Sequence, residues 1–369
     1  MRAPSRFAIA FAMFALAVRA VSPQTTGPTG TSDALILITL DGARTEEIFG
    51  GLDLEVLRAS LGAGKKAEDQ PVYRRFWADT PEARRERLMP FFWRTLMSAH
   101  GSIAGNPRSG SSVTLTNEHR FSYPGYSEII LGEAHDDTIK SNDPIRNPYV
   151  TLLEELKTRL GLPAGSVAAF ASWNVFDAIV EHTEGALTVN AGFTPFDNPD
   201  PEVRRLNELQ ALTPTPWDSV RHDVYTYRFA MSHLQHARPR VLYLALGETD
   251  DWSHDGRYDR VLEAYARTDA FLEGLWTWLQ AQPEYRGRTH ILITTDHGRG
   301  HTAADWRNHG AKVEGAQDVW MAFVTPHLAR RGEWQAHLPL HTNQAAATMA
   351  GWMGLDWNAL RPAAGLPIK

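Results

Sequence analysis

Five short and almost uninterrupted apolar runs constrain the fold of this chain more than any other feature of its sequence. They are ALILITL (34–40), VAAFAS (167–172), RVLYLAL (240–246), HILITT (290–295) and VWMAFVT (319–325). Runs of this length without polar alternation are typical of parallel strands that are buried on both faces of a sheet. We therefore predict that these segments form a central sheet.

The segments between these runs have the apolar spacing of helices. The clearest are residues 149–159, 217–236, 258–280 and 342–353. Strands that alternate with helices predict an α/β fold, a doubly wound and mostly parallel sheet flanked by helices. We expect residues 33–369 to form a single domain in which segments 51–110 and 193–203 are small insertions.

The amino-terminal sequence predicts that the protein is exported. Arg2 and Arg6 precede an apolar run of about a dozen residues, which is too short for a membrane span and is typical of a signal peptide. We predict a signal peptide over residues 1–20 and a Pro/Gly/Ser/Thr linker over 21–32, with a periplasmic or secreted protein that keeps no membrane span after cleavage. An uncleaved membrane anchor is the alternative.

Composition excludes some partners and restricts the possible metal ligands. The formal charge of the chain is -6, and removal of the three arginines in residues 1–20 would make it more negative, so a basic nucleic-acid groove is not expected. The chain has no cysteine. Metal ligands must therefore be carboxylates, imidazoles or hydroxyls.

Acids and histidines follow three of the predicted strands. In chain order they are Asp41, Asp250, His254, Asp296, His297 and His309. In an open α/β sheet the ligand crevice lies beyond the carboxyl ends of the strands, so these side chains can converge on one site. Carboxylates and imidazoles suit zinc and similar ions. Asp251 and Asp255 are nearby alternatives, but Asp250 has the four-residue spacing to His254.

In the stretch FSYPGYSEIILG (121–132), the hydroxyl of Ser122 precedes a short apolar segment that we predict to be a helix. Serine with a proline two residues later is ordinary helix N-terminus chemistry, so Ser122 is a candidate helix cap. It is also a candidate nucleophile, because a divalent ion can stabilise its alkoxide. The two interpretations are compatible, since backbone N–H groups at a helix start favour an anion.

Five short motifs occur in order along the chain: LDGAR, FSYPGY, DDWSH, TTDHGRG and NHGAK. Together they resemble the alkaline phosphatase superfamily, in particular its nucleotide pyrophosphatase/phosphodiesterase branch. The chain also resembles bacterial proteins described as sulfatase-like or phosphoglyceromutase-like, through PFFW, RFSYPGY and GETDDWSHDGRYD. Each motif is weak alone, whereas five in the same order are a strong signal.

The resemblance implies two divalent metal ions, with zinc as the expected metal, and a set of site residues. One ion would be bound by Asp41, Ser122, Asp296 and His297, and the other by Asp250, His254 and His309. Asn142 stands at about the family's place for an amide that holds a nonbridging substrate oxygen, and Asn147 is the alternative for that role.

The expected substrate is a small phosphate ester, with a diester slightly favoured over a monoester. A sulfatase that uses formylglycine would carry an arginine where this chain has Tyr126, and segment 123–249 is too short for the second domain of a phosphoglycerate mutase. A sulfatase-like hydrolase and a noncatalytic exported metal-binding protein are the alternatives. The leaving group and the oligomeric state stay open.

Overall fold

An eight-stranded sheet forms the centre of the protein, and a small three-stranded sheet lies apart from it. The computed structural model describes residues 33–326, 331–335 and 339–369, so the predicted signal peptide and linker lie outside the described residues. The strands in chain order are β1 Ala34–Leu40, β2 Gly101–Ala104, β3 Ser112–Thr114, β4 Val167–Ala171, β5 Thr188–Ala191, β6 Val241–Leu246, β7 Thr289–Thr294, β8 Asp318–Val319, β9 Met321–Val324, β10 Gly332–Glu333 and β11 Pro339–His341.

Helices cover both faces of the large sheet. The α-helices are α1 Thr45–Gly50, α2 Leu54–Ser60, α3 Pro71–Phe76, α4 Pro81–Leu88, α5 Ser122–Leu131, α6 Leu152–Arg159, α7 Phe176–Ile179, α8 Pro201–Leu212, α9 Asp223–Ala237, α10 Glu248–His254, α11 Tyr258–Ala281, α12 Ala345–Trp352 and α13 Trp357–Leu360. A π-helix spans Phe92–His100, and 3-10 turns span Ala67–Asp69, Pro107–Ser109 and Thr342–Gln344. Among the described residues, none of these helices is long and apolar enough to cross a bilayer.

The order of the strands in the large sheet is β10-β2-β9-β7-β1-β6-β4-β5. Strands β7, β1, β6, β4 and β5 are parallel neighbours, which confirms the α/β fold predicted from the apolar runs. Leu40 pairs with Leu246, and Thr39 pairs with Thr294. The carboxyl ends of β1, β6 and β7 therefore lie at the same edge of the sheet, as predicted.

The two faces of the sheet contact separate hydrophobic clusters. Along β1, Ile36 and Ile38 belong to one cluster with residues of α9 and α11, while Leu35 and Leu37 belong to the other with residues of α5, α6 and α12. Because neighbouring side chains of a strand point to opposite faces, a strand covered on both sides must be apolar throughout. This arrangement explains the uninterrupted run ALILITL.

Two predictions about the sheet need correction. The run 319–325 is not one strand, because it divides at Trp320 into β8 of the small sheet and β9, which is antiparallel to β7. The segment 51–110 is not only an insertion, since β2 pairs with β9 inside the large sheet. The apolar composition of a segment indicates that it is buried, but it does not indicate the direction of a strand such as β9. The strand β2 has only four residues, GSIA, which are too few to show a strand pattern in the sequence.

Candidate metal centre

The ends of β1 and β7 bring together Asp41, Asp296 and His297. Nε2 of His297 lies 3.4 Å from Oδ1 of Asp41 and 3.4 Å from Oδ2 of Asp296. One ligand atom from each residue lies within 4.8 Å of the other two. We call these three residues the first ligand group. All three side chains are buried at the strand-end edge of the sheet, so the group can enclose a small cation.

The two carboxylates of this group have chemistry that suits a cation. Oδ1 of Asp41 and Oδ2 of Asp296 are buried and have no hydrogen-bond partner among the described residues. Burial raises the pKa of both carboxyls well above the ordinary value; the charge of Asp250 raises the pKa of Asp41 further, and the charge of Asp41 raises that of Asp296. Buried, unpaired carboxylates are costly unless a positive charge neutralises them. The residues present therefore fit a divalent ion.

The tautomer of His297 leaves its metal-facing nitrogen free. Nδ1 of His297 lies 2.9 Å from the carbonyl oxygen of Gly298, which can only accept a hydrogen bond. Nδ1 must therefore carry the proton, and Nε2 presents a lone pair toward Asp41 and Asp296. A hydrogen bond that fixes the outer nitrogen in this way is typical of histidines that bind metals.

A second cluster of possible ligands adjoins the first and consists of Asp250, His297 and His309, so His297 faces both clusters. His254 contacts Asp250 and His309, and we call Asp250, His254 and His309 the second ligand group. Asp250 and His254 lie one turn apart on α10, with Oδ2 of Asp250 3.1 Å from Nε2 of His254. Nε2 of His309 is 3.0 Å from Nε2 of His254 and 3.8 Å from Oδ1 of Asp250. Burial, with a contribution from His297, lowers the pKa of His309 to about 2. A neutral imidazole is the form that binds metal.

Ser122 is the first residue of α5, and its hydroxyl faces the first ligand group. Oγ of Ser122 lies 3.4 Å from Nε2 of His297. The cap residue of α5 is Phe121, whose side chain makes no capping bond, so the interpretation of Ser122 as a helix cap is wrong. Gly125 allows the helix start to approach this closely, because a Cβ there would lie 2.1 Å from the carbonyl oxygen of Asp296.

The two asparagines that are candidates for binding a substrate oxygen, Asn142 and Asn147, differ in their contacts and exposure. Oδ1 of Asn142 accepts a hydrogen bond of 2.9 Å from the backbone N–H of Tyr123, next to Ser122, and Asn142 is exposed. Asn147 is buried, and its amide donates to the carbonyl oxygen of Ile179. Of the two, Asn142 is therefore the exposed amide beside the start of α5.

Two residues that contact the ligand groups were not recognised in the sequence. The hydroxyl of Tyr126 donates a hydrogen bond of 2.9 Å to Oδ2 of Asp41. The guanidinium of Arg299 donates to Oδ1 of Asp250. Tyr126 lies one helical turn after Ser122, and Arg299 lies two residues after His297, so their positions beside predicted site residues were the available signal.

The two alternative acids, Asp251 and Asp255, lie outside both ligand groups. Oδ2 of Asp255 accepts a hydrogen bond from Nε1 of Trp217. The pKa of Asp251 is raised well above its ordinary value, first by burial and then by Asp250, but the described ligand clusters do not include it. The spacing argument that favoured Asp250 over these two neighbours is consistent with this placement.

The helix that carries Asp250 and His254 is held by a reciprocal pair of caps. The side chain of Asp223, at the start of α9, accepts hydrogen bonds from the backbone N–H groups of Gly247 and Glu248 at the start of α10. The side chain of Glu248 in turn accepts the N–H of Asp223 at 3.3 Å. Each acid therefore satisfies donors at the start of the other helix. Sequence periodicity carried no signal for this contact.

Replacing Asp223 with alanine is expected to lower the free energy of unfolding by about 1–2 kcal/mol, the usual effect of removing a cap. It should also weaken binding of an ion at the second ligand group, because α10 positions Asp250 and His254. Asp200→Ala is the matched control, since Asp200 caps α8, which carries no candidate ligand. Urea unfolding and zinc titration check both effects. Equal zinc binding by the two variants would contradict the positioning role of Asp223.

Comparison with known proteins assigns the chain to a family. The family model of type I phosphodiesterases / nucleotide pyrophosphatases matches residues 138–350, more than half of the chain. The match includes Asn142, both histidines of the second group, and Asp296 with His297, whereas Asp41 and Ser122 precede it. No curated protein matches the chain.

Several solved structures share the fold. The alkaline phosphatase PafA has a TM-score of 0.56 at 10% identity, with 91% of this chain and 98% of that chain covered. A putative sulfatase from Bacteroides thetaiotaomicron has a TM-score of 0.53 at 13% identity, covering 88% and 71%. The lipoteichoic acid synthase LtaP from Listeria monocytogenes has a TM-score of 0.50 at 11% identity, covering 91% and 76%.

At these identities the solved structures establish the fold, and the family model establishes the family. The chain belongs to the type I phosphodiesterase / nucleotide pyrophosphatase family of the alkaline phosphatase superfamily.

Proposed function

We propose that this protein is an exported, metal-dependent hydrolase of phosphate esters, with diesters favoured over monoesters, in which Ser122 is the nucleophile. One observation carries the proposal. Two buried carboxylate oxygens without a hydrogen-bond partner among the described residues, on Asp41 and Asp296, face the same imidazole nitrogen that the hydroxyl of Ser122 contacts. Such a set of atoms suits a cation that also activates the serine.

Each part of the site has a distinct task in this proposal. Divalent ions, with zinc as the expected metal, would be held by the two ligand groups: Asp41, Asp296 and His297, and Asp250, His254 and His309. When bound, the ions would supply positive charge that acidifies the Ser122 hydroxyl and offsets the negative charge on the leaving oxygen. Oγ of Ser122 then forms a bond to phosphorus while the bond from phosphorus to the leaving oxygen breaks. The leaving oxygen takes up a proton, and the intermediate on Ser122 keeps the second ester group of the diester. In a second displacement water attacks phosphorus, the bond from phosphorus to Oγ breaks, and a phosphate monoester is released while Ser122 regains its proton.

The helix start and Asn142 complement the charge of the substrate. The positive end of the α5 helix dipole lies at Ser122, where it favours a phosphoryl oxygen. Oδ1 of Asn142 is engaged with the N–H of Tyr123, which orients the amide and leaves its NH₂ group to donate to a nonbridging oxygen. A neutral amide and a helix start suit the single negative charge of a diester.

Two residues support a diester rather than a sulfate ester or a monoester. Tyr126 stands where sulfatases of the formylglycine type carry an arginine, and its hydroxyl donates to Asp41. Arg299 is buried and donates to Asp250 and to the carbonyl oxygens of Trp306 and Arg307, so it is not free to hold a second phosphoryl oxygen.

A panel of esters tests this proposal. The purified protein, loaded with zinc, is assayed with an aryl phosphate monoester, a bis-aryl phosphate diester, an aryl phosphonate and an aryl sulfate. We expect the highest kcat/KM for the diester, with complete loss after chelation and recovery when zinc is restored. Fastest turnover of the sulfate would indicate a sulfatase-like enzyme. Zinc binding without hydrolysis of any ester would indicate a noncatalytic metal-binding protein.

Export is part of the proposal and is supported by the sequence of residues 1–20. Expression of the full chain in a bacterial host, followed by fractionation and mass determination of the amino terminus, tests it. We expect a mature chain that begins near residue 21 in the periplasmic or secreted fraction. An intact amino terminus in the membrane fraction would favour the anchor interpretation.

A further inference from the structure

The two ligand groups differ in one residue that carries a permanent positive charge. The guanidinium of Arg299 is buried beside the second group, and its Nη1 donates to Oδ1 of Asp250. No arginine or lysine among the described residues forms an ion pair with Asp41 or Asp296 of the first group. The charge of Arg299 also lowers the pKa of Asp41, as a smaller cause than burial and Asp250. Direct contact with the guanidinium therefore distinguishes the second group from the first.

Hydrogen bonds from each nitrogen of its guanidinium hold Arg299 in this position. Its Nε donates a hydrogen bond of 3.1 Å to the carbonyl oxygen of Trp306, and its Nη2 donates to the carbonyl oxygen of Arg307. A buried guanidinium is stable only while its donors are satisfied, so these contacts oppose any movement of the side chain into solvent. Arg299 is therefore a fixed component of the second group.

The backbone also makes room for this pair of charges. Gly42 follows Asp41 with a φ of +55°, and a Cβ there would lie 2.6 Å from Oδ1 of Asp250 and 2.8 Å from Nη1 of Arg299. Only a residue without a side chain allows the Asp250–Arg299 pair to approach the end of β1 so closely. The site is thus built around the pair and not only around Asp250.

Charge balance then separates the two groups. The first group presents two carboxylates and one imidazole to an ion. The second presents one carboxylate, which it shares with Arg299, and two imidazoles. A divalent ion at the second group must share Oδ1 of Asp250 with a guanidinium and must bear the repulsion of that nearby cation, which weakens its binding.

We propose that Arg299 makes the second ion site exchangeable, so that the protein retains one divalent ion tightly at Asp41, Asp296 and His297 and binds the other only when the free ion is abundant. This inference rests on the proposed metal-dependent function. It assigns to Arg299 control of ion occupancy at the second group, and hence of the ion concentration at which the enzyme is active.

Zinc titration of the metal-free protein, followed by calorimetry with a competing chelator, tests the proposal. For the wild type we expect two binding steps that differ in affinity by about a hundredfold or more. In Arg299→Gln the weaker step should tighten by about tenfold or more while the stronger step changes much less, because the competing charge is gone from the group that it contacts directly. Arg299→Lys, which keeps the charge, should retain the separation of the two steps.

Arg221→Gln is the control for the loss of a buried arginine. Arg221 is also buried, but it donates to Asn190 and Thr226 and not to a candidate ligand, so this variant should keep the wild-type binding steps. If Arg299→Gln does not fold, a crystal of the wild type grown with one equivalent of zinc replaces it. Anomalous scattering should then locate zinc at the first group only.

Each outcome has a defined meaning. Equal affinities in the wild type, equal zinc occupancy of both groups, or an unchanged weaker step in a folded Arg299→Gln would overturn the role of Arg299. Failure of the wild type to bind any zinc would instead overturn the proposed metal-dependent function, so the two failures are distinguishable.

Discussion

Replacing Ser122 with alanine is expected to reduce kcat/KM for the best ester by more than about a hundredfold, equivalent to about 2.7 kcal/mol of barrier. The variant lacks the oxygen that forms the bond to phosphorus, so the covalent step cannot occur. Folding and most zinc binding should survive, because Asp41, Asp296 and His297 stay in place. Steady-state kinetics with zinc titration checks the prediction, and acid quenching of the wild type should trap the covalent phosphoryl adduct on Ser122.

Ser127→Ala is the control for this experiment. Ser127 lies on the same helix and is buried, and its hydroxyl accepts only a long bond of 3.4 Å from the amide of Asn147. Its loss should leave catalysis almost unchanged. If Ser122→Ala kept more than about a tenth of the wild-type rate, the covalent route would be wrong, and direct attack by water would replace it.

Asp296→Asn is expected to remove the tightly bound ion and with it nearly all activity. The substitution keeps an oxygen that can accept the N–H of Gly42, which Oδ1 of Asp296 now does at 3.0 Å. It removes the negative charge that faces His297. We expect zinc affinity at the first group to fall by more than the roughly 10- to 100-fold that follows loss of a residue behind a ligand. Competition with a chelator measures the change.

Asp255→Asn is the matched control for that prediction. Asp255 lies just beyond α10, and its carboxylate accepts a hydrogen bond from Trp217 instead of facing a ligand group. It should keep wild-type zinc affinity and turnover. A protein that retained its tight zinc ion and full activity after Asp296→Asn would show that the first ligand group does not hold the catalytic ion.

Patterns within short segments were sufficient to predict much of the fold. The run ALILITL became β1 with the predicted bounds, and the predicted helix over 258–280 became α11, Tyr258–Ala281. Both depend on burial over one segment, which apolar spacing reports directly. The convergence of acids after β1, β6 and β7 was also predictable, because parallel strands end at a common edge.

Contacts between distant segments required the tertiary structure. Three features depend on partners far along the chain. They are the direction of β9, the difference in exposure between Asn142 and Asn147, and the reciprocal caps of Asp223 and Glu248. No local period encodes such partners, since they form only when separate helices and strands pack together.

The amino-acid sequence by itself determined the buried strands, the order of the motifs and the candidate ligands, because these follow from residue type and spacing along the chain. Only the tertiary structure decided that Phe121 and not Ser122 is the cap residue of α5, that Tyr126 donates to Asp41, and that Arg299 shares Asp250. Those features depend on distances of a few ångströms across the strand-end edge of the sheet, which packing alone sets.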